Sequence, residues 1–439
     1  MDRNTILKYF DENRAYADKK IAEGTEKNRK GDFMLVFADD AEKTVTLRQV
    51  GHTFKFGCNA FMLGCFESEE KEKKYIEKFV DLFNLAVVPF YWDGIEPREG
   101  TLRFGKDAEP VYRRPAPDTV LEFCKKYGIE PKGHCLLWAY GLPEWLQKYD
   151  EREKKRLTEK RFAEISARYA GQIPSFDIIN ESGSTYAVGK KRLFEDYEEF
   201  ALDLGAKYFA GNVKFLNEAS DYIWYYARPR GGKCIPFTMQ AEKLLGMGKK
   251  IDALGMQYHL FFREQRLAED EILNSYLDPV VLLDVLETLG KFGLPMQISE
   301  VTVPSYFGTG KENEEVQAEV IEELYRLWFS VAGMEGIDYW NLVDGYAAFA
   351  RQGSAEGENY YGGGLMGYDL CEKPAYRVLD KLINHEWKTS AEGKNVRKSF
   401  SFRGFYGTYE AEVRTAEKTE KFTLELSHAG KYAVGRPIE

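Results

Sequence analysis

The sequence predicts an α/β fold: an eight-stranded (β/α)8 barrel with a small β appendage formed from both ends of the chain. Three observations predict it. Eight short apolar runs start 31–47 residues apart, each followed by a longer helical pattern. The runs are near-continuous rather than alternating, as parallel strands buried on both faces must be. The segments at either end instead alternate apolar and polar residues, which is the pattern of half-exposed strands. Strand and helix alternating over about 300 residues matches the size of a closed barrel. An open doubly wound sheet is the other arrangement with this pattern.

Taken in order, residues 1–53 read as a charged amphipathic helix over the first thirty residues, then a β hairpin within 33–50 that turns at Asp39-Asp40. Residues 54–388 hold the barrel. Its strand runs are 54–60, 85–92, 132–138, 175–181, 213–218, 251–261, 295–303 and 336–344. Helical patterns such as 314–333 lie between them. Residues 389–439 form a C-terminal β segment, alternating most clearly over 396–428. A lone hairpin is marginal in water, so this segment is expected to pair with the N-terminal hairpin.

Composition narrows the function. The 439 residues are 44% hydrophobic, ordinary for a globular protein, with net charge −10 from 61 basic and 71 acidic side chains. That balance argues against nucleic acid as main partner and against an anionic membrane surface. No apolar run approaches the ~20 residues of a membrane span. The N-terminal residues lack the apolar stretch of a secretory signal, so a cytoplasmic location is expected. The six cysteines (Cys58, Cys65, Cys124, Cys135, Cys234, Cys371) form no CxxC pair and are expected to be free thiols.

No cofactor or metal is expected. Residues 362–367, GGGLMG, have the GxGxxG spacing but no βαβ unit around them. FGCNA stands where a hydrolytic metal barrel needs HxH, and His385-Glu386 lacks the second His of HExxH. Neither a GxSxG elbow nor a Walker A sequence occurs.

Chemistry in a barrel sits where strands end at the carboxyl face. The fourth strand ends Asn180-Glu181 and the seventh carries Glu300. The third carries His134 and Trp138, the sixth Gln257 and His259, and the eighth Trp340. Singly, each has a simpler explanation: an ion pair for a Glu, a core position for a Trp or His. Together they place two carboxylates, two imidazoles, two amides and two indoles at one mouth. Paired carboxylates across a barrel mouth suit acid/base plus nucleophile chemistry on a glycosidic bond. Indoles suit the apolar C–H face of a pyranose.

These residues sit in ordered segments that resemble glycoside hydrolase family 10, the retaining β-1,4-xylanases. The segments are WDGIEPREGTLRF (92–104), GIEPKGHCLLW (128–138), FDIINE (176–181), LNEASDY (216–222), IDALGMQYHL (251–260), QISEVTV (297–303), DYWNLVDG (338–345) and KPAYRVL (373–379). The resemblance covers roughly residues 54–385. It implies that Glu181 is the acid/base and Glu300 the nucleophile. It implies that Asn180 bonds the sugar 2-hydroxyl, that Gln257 and His259 hold Glu300, and that His134, Trp138 and Trp340 line the same subsite. Tyr91 and Trp92, at the end of the second run, complete the expected substrate-binding set. The implied partner is an oligosaccharide.

Two departures stand out. The family's Glu-Asn-x-x-Lys segment before the second-strand Trp is replaced by Val87-Val88-Pro89-Phe90-Tyr91, and the His usual after Trp138 is Ala139. The resemblance therefore implies a kept reaction centre beside a rebuilt subsite, and better action on short or modified oligosaccharides than on long xylan. A related β-glycosidase of different sugar specificity and a non-catalytic glycan-binding barrel are the alternatives.

Overall fold

The computed structural model describes residues 1–183, 193–225 and 235–433, and the backbone of 436–437. Eight parallel strands close into a barrel: Lys55–Asn59, Leu85–Pro89, Glu130–His134 with Leu137–Trp138, Ser175–Asn180, Val213–Glu218, Ala253–His259, Met296–Thr302 and Met334–Tyr339. The eighth pairs with the first, Tyr339 opposite Cys58, so no barrel edge is left open. The third strand is broken at Cys135-Leu136, and both pieces pair with the fourth.

The connecting helices start and stop as their sequences dictate. Ser68 caps Glu69–Leu82 by accepting from the Lys71 N–H, with Glu69, Glu70 and Glu72 in its positive first turn. Pro117 opens Pro117–Tyr127, and Gly128, at φ 68°, ends it. Helix Lys311–Ser330 buries Val320, Leu324, Leu327 and Trp328 against the barrel.

The N-terminal helix is three pieces, Arg3–Ile6, Lys8–Glu12 and Arg14–Arg29, and it belongs to the barrel layer. Ile6, Leu7 and Phe10 enter the barrel core. Asn28 Nδ2 donates to the Ser330 carbonyl at 2.8 Å. A Cβ at Gly24 would stand 2.4 Å from that same oxygen, so only glycine permits this approach.

The two chain ends do combine into one β unit, but the expected N-terminal hairpin is not one. Lys30–Val36 and Lys43–His52 lie in different sheets. The first pairs with Ser399–Phe405 and Gly430–Ala433; the second lies between Ser390–Val396 and Gly407–Arg414, with Thr419–Leu426 beyond. The reason is burial. Phe33 and Leu35 on one strand, Phe37 just after it, and Val45 and Leu47 on the other all need cover. Two facing sheets bury them together with Tyr409, Val413 and Leu424, whereas a flat hairpin leaves one row wet. Stacking of Phe329 on Trp387, 4.0 Å between centroids, lies where this unit meets the barrel, beside Phe405.

The five described cysteines are free thiols; Cys234 lies outside the described residues. Among the described residues no helix is long and apolar enough to cross a membrane.

Candidate active site

Strand register sets the site. Trp138 lies opposite Asn180, which lies opposite Asn217; Glu300 lies opposite Gln257, and Thr302 opposite His259. Residues from five strands thus meet at the carboxyl end. Period-two alternation alone could not do this, because Asp177 and Asn180 both point into the barrel three residues apart, as do Gln297 and Glu300. The ladder shifts register between Asp177 and Ile179 and between Ile298 and Glu300. Such a bulge re-aims the following side chain. Glu181 then leaves its strand at φ 54°, uncommon for a residue with a Cβ.

The two carboxylates are held differently. Glu181 Oε2 accepts from Trp138 Nε1 at 2.8 Å, and its Oε1 accepts from Gln257 Nε2 at 2.8 Å. Glu300 Oε1 accepts from Asn217 Nδ2 and from Gln257 Nε2, both at 3.0 Å. His259 Nε2 lies 3.2 Å from Glu300 Oε2, with its Nδ1 2.9 Å from Thr302 Oγ1 and its ring flat on Phe261. Burial and then the Glu300 charge push the Glu181 pKa up.

His134 Nδ1 is 2.7 Å from Asp177 Oδ2, and its Nε2 is 3.1 Å from the Tyr91 hydroxyl. Burial opposes protonation of this ring, but Glu300 and Asp177 outweigh it and its pKa rises. Beneath it Lys132, Asp177, Gln297 and Asp338 form a buried polar layer. Lys132 Nζ is 3.1 Å from Asp177 Oδ1 and 2.7 Å from Gln297 Oε1. Burial lifts Asp338 to about 7.

Above the carboxylates opens a cavity of about 580 Å³. Tyr91, His134, Trp138, Asn180, Glu181, Gln257, His259, Glu300 and Trp340 all line it. Trp92 does not. It sits on the short helix Trp92–Ile95, buried, its Nε1 donating to Glu96 Oε2 at 2.9 Å and its face under Arg161. The second strand stops at Pro89, and the turn of chain after it sends Tyr91 to the cavity and Trp92 behind the wall.

The model of glycosyl hydrolase family 10 matches residues 60–380. The chain belongs to glycosyl hydrolase family 10. It is 26% identical over 91% of its length to anti-sigma-I factor RsgI6 of Acetivibrio thermocellus, and 25% identical over 94% to endo-1,4-beta-xylanase 1 of Arabidopsis thaliana. It spans 47% and 40% of those two proteins, less than half of either. Xylanase 10B from Thermotoga petrophila RKU-1, solved in complex with xylobiose, shares the fold at TM-score 0.58 and 18% identity, covering 75% of this chain and 95% of that one.

Within this family 10 barrel, two sets of site residues escaped the sequence reading. Asn217 is the next-to-last residue of the fifth strand and donates from one amide to both Asn180 Oδ1, at 2.7 Å, and Glu300. Its place in LNEASDY, at a strand end, was the available signal. Glu218 beside it is fully buried, accepts from the Gly183 and Ala219 N–H groups, and is pushed by burial to about 8. Arg113, Arg114 and Glu358 line the cavity from loops that carry no periodic signal.

Proposed function

We propose that this chain is a retaining glycoside hydrolase acting by double displacement on β-1,4-linked xylose-containing or related oligosaccharides. Glu181 is the acid/base and Glu300 the nucleophile. The observation that carries the reading is the shared amide of Gln257. Its contacts of 2.8 and 3.0 Å add to 5.8 Å, which caps the distance between the nearest Glu181 and Glu300 oxygens. Retention needs carboxyl groups about 5–5.5 Å apart, and inversion about 6.5–9.5 Å.

The surroundings suit each role. Glu300 Oε1 accepts from two amides, which fixes the carboxylate plane, and its Oε2 faces an imidazole. Its attack forms the bond to the anomeric carbon while the glycosidic C–O bond breaks. Glu181, kept protonated by burial and by the Glu300 charge, gives its proton to the departing oxygen. Once Glu300 is esterified that charge is gone, the Glu181 pKa falls, and the same carboxylate takes a proton from the water that releases the sugar. Trp340, edge-on to both His134 and His259, and Trp138 supply apolar plates for the pyranose. The xylobiose bound by the Thermotoga petrophila enzyme supports a xylose-type sugar.

The test is a panel of aryl β-glycosides and β-1,4-oligosaccharides on purified protein. Turnover of β-xylosides or short xylo-oligosaccharides is expected. Tight binding of these sugars without turnover of any would replace the hydrolase with a glycan-binding barrel.

A further inference from the structure

We propose that Arg114, backed by Arg113, is a carboxylate-binding position on the glycone side of the cavity, fitted to a uronic acid carried by the substrate. The inference rests on the hydrolase reading only for the word glycone.

Arg114 is half-buried and lines the cavity. Its guanidinium carbon lies 4.0 Å from the Tyr91 ring centroid and 5.6 Å from that of Phe61. Stacking between these rings orients the planar fork without using up its edge. One side-chain hydrogen bond, Nη1 to the Arg113 carbonyl at 2.9 Å, holds it, and among the described residues no carboxylate is in ion-pair range.

Arg113 is 3% exposed, lines the same cavity, and uses Nη1 on the Tyr346 carbonyl. Its Nε and Nη2 have no partner among the described residues. Both atoms are sealed from solvent, so Arg113 backs Arg114 with its charge and leaves the accessible guanidinium edge to Arg114. Glu358 is the carboxylate facing this pair, and it accepts from Trp340 Nε1 at 3.2 Å. Two guanidinium groups against one carboxylate leave this wall cationic, while Glu181 and Glu300 make the floor acidic.

Position identifies which part of the substrate is read. Tyr91, Phe61 and Tyr346 follow the second, first and eighth strands, so the arginine pair stands across the mouth from Glu181 on the fourth. The leaving group departs beside Glu181, which puts the retained sugars under the arginines. A planar carboxylate matches one guanidinium fork in bidentate fashion.

Three ligands of equal length test this: a xylotriose bearing glucuronic acid on its non-reducing sugar, its methyl ester, and plain xylotriose. Titration calorimetry on Glu300→Gln protein reads affinity, and steady-state kinetics on wild type read kcat/KM. The acid should exceed its ester by about tenfold or more in both. Arg114→Ala should collapse that ratio toward one, and Arg114→Lys should keep part of it. Equal handling of acid and ester by wild type, or a ratio unmoved by Arg114→Ala in protein shown folded by its melting curve, overturns the proposal. If Arg114→Ala does not fold, Arg114→Lys and Arg114→Gln decide: the ratio must fall in both. Preferential binding of the acid with no hydrolysis of any ligand would sink the hydrolase reading and leave this one standing.

Discussion

Glu181 and Glu300, 119 residues apart in the chain, share one hydrogen-bond donor, the Gln257 amide, at 2.8 and 3.0 Å. Gln257 thus ties the two carboxylates to each other, while Trp138 holds Glu181 and Asn217 holds Glu300. Gln257→Ala should lower kcat by roughly 10²-fold or more, since misplacement by about 1 Å costs that much. Steady-state kinetics on a good aryl glycoside check this.

The two carboxylates should fail differently. Glu300→Ala should be nearly inactive on every substrate. Glu181→Ala should fail on sugars with poor leaving groups yet still form the glycosyl–enzyme from an activated aryl glycoside, and added azide should then speed its turnover. Azide product of retained configuration from Glu300→Ala, with inverted azide product from Glu181→Ala, would exchange the roles.

The raised Glu181 pKa makes a pH prediction. The acid form is required, so kcat/KM should fall as pH rises through that pKa. Part of the rise comes from Glu300, after burial, so Glu300→Gln should lower the Glu181 pKa. Carboxyl NMR titration of the two proteins measures it.

The barrel was legible because buried parallel strands leave an unmistakable apolar rhythm, and because Glu181 and Glu300 interrupt it where apolar residues belong. Asn217 obeyed the same strand-end rule. Trp92 was misplaced because the sequence does not reveal where the second strand stops, and one residue of difference separates Tyr91 in the cavity from Trp92 in the core. The sandwich was half legible: alternation identified its strands, but which strand faces which depends on how two apolar rows find common cover. Arg113 and Arg114 lie in a loop with no periodicity, and only folding brings Arg114 onto Tyr91.

Glu218 should govern stability at neutral pH. Its folded pKa of about 8 lies above its ordinary 4.5, so the folded state binds the extra proton between those values. Stability is therefore fully present below about 4.5 and falls as pH rises toward 8, by on the order of 4 kcal/mol. Denaturant midpoints of wild type and Glu218→Gln across pH 5–8 should show a flatter slope in the variant.

Gly255 should matter without touching substrate. A Cβ there would stand 2.3 Å from Asn217 Oδ1, so Gly255→Ala must displace the amide that holds Glu300. Loss of kcat with little change in KM is expected, and an unchanged kcat would remove Asn217 from the account.

Long xylan should be a poor substrate. Val87 and Phe90 are buried in the core away from the cavity, so of the stretch before Trp92 only Tyr91 reaches the cavity wall, and its hydroxyl is already bonded to His134. An unpaired buried sugar hydroxyl costs roughly 1–3 kcal/mol. A rapid viscosity drop in xylan solution would contradict this.

The central claim is that Glu300 bonds covalently to the sugar. A 2-deoxy-2-fluoro derivative of whichever aryl β-glycoside the enzyme turns over slows release of that intermediate, and peptide mass mapping locates it. The account predicts one glycosyl group per chain, on Glu300. A label on Glu181, or inactivated enzyme with no label, would contradict it.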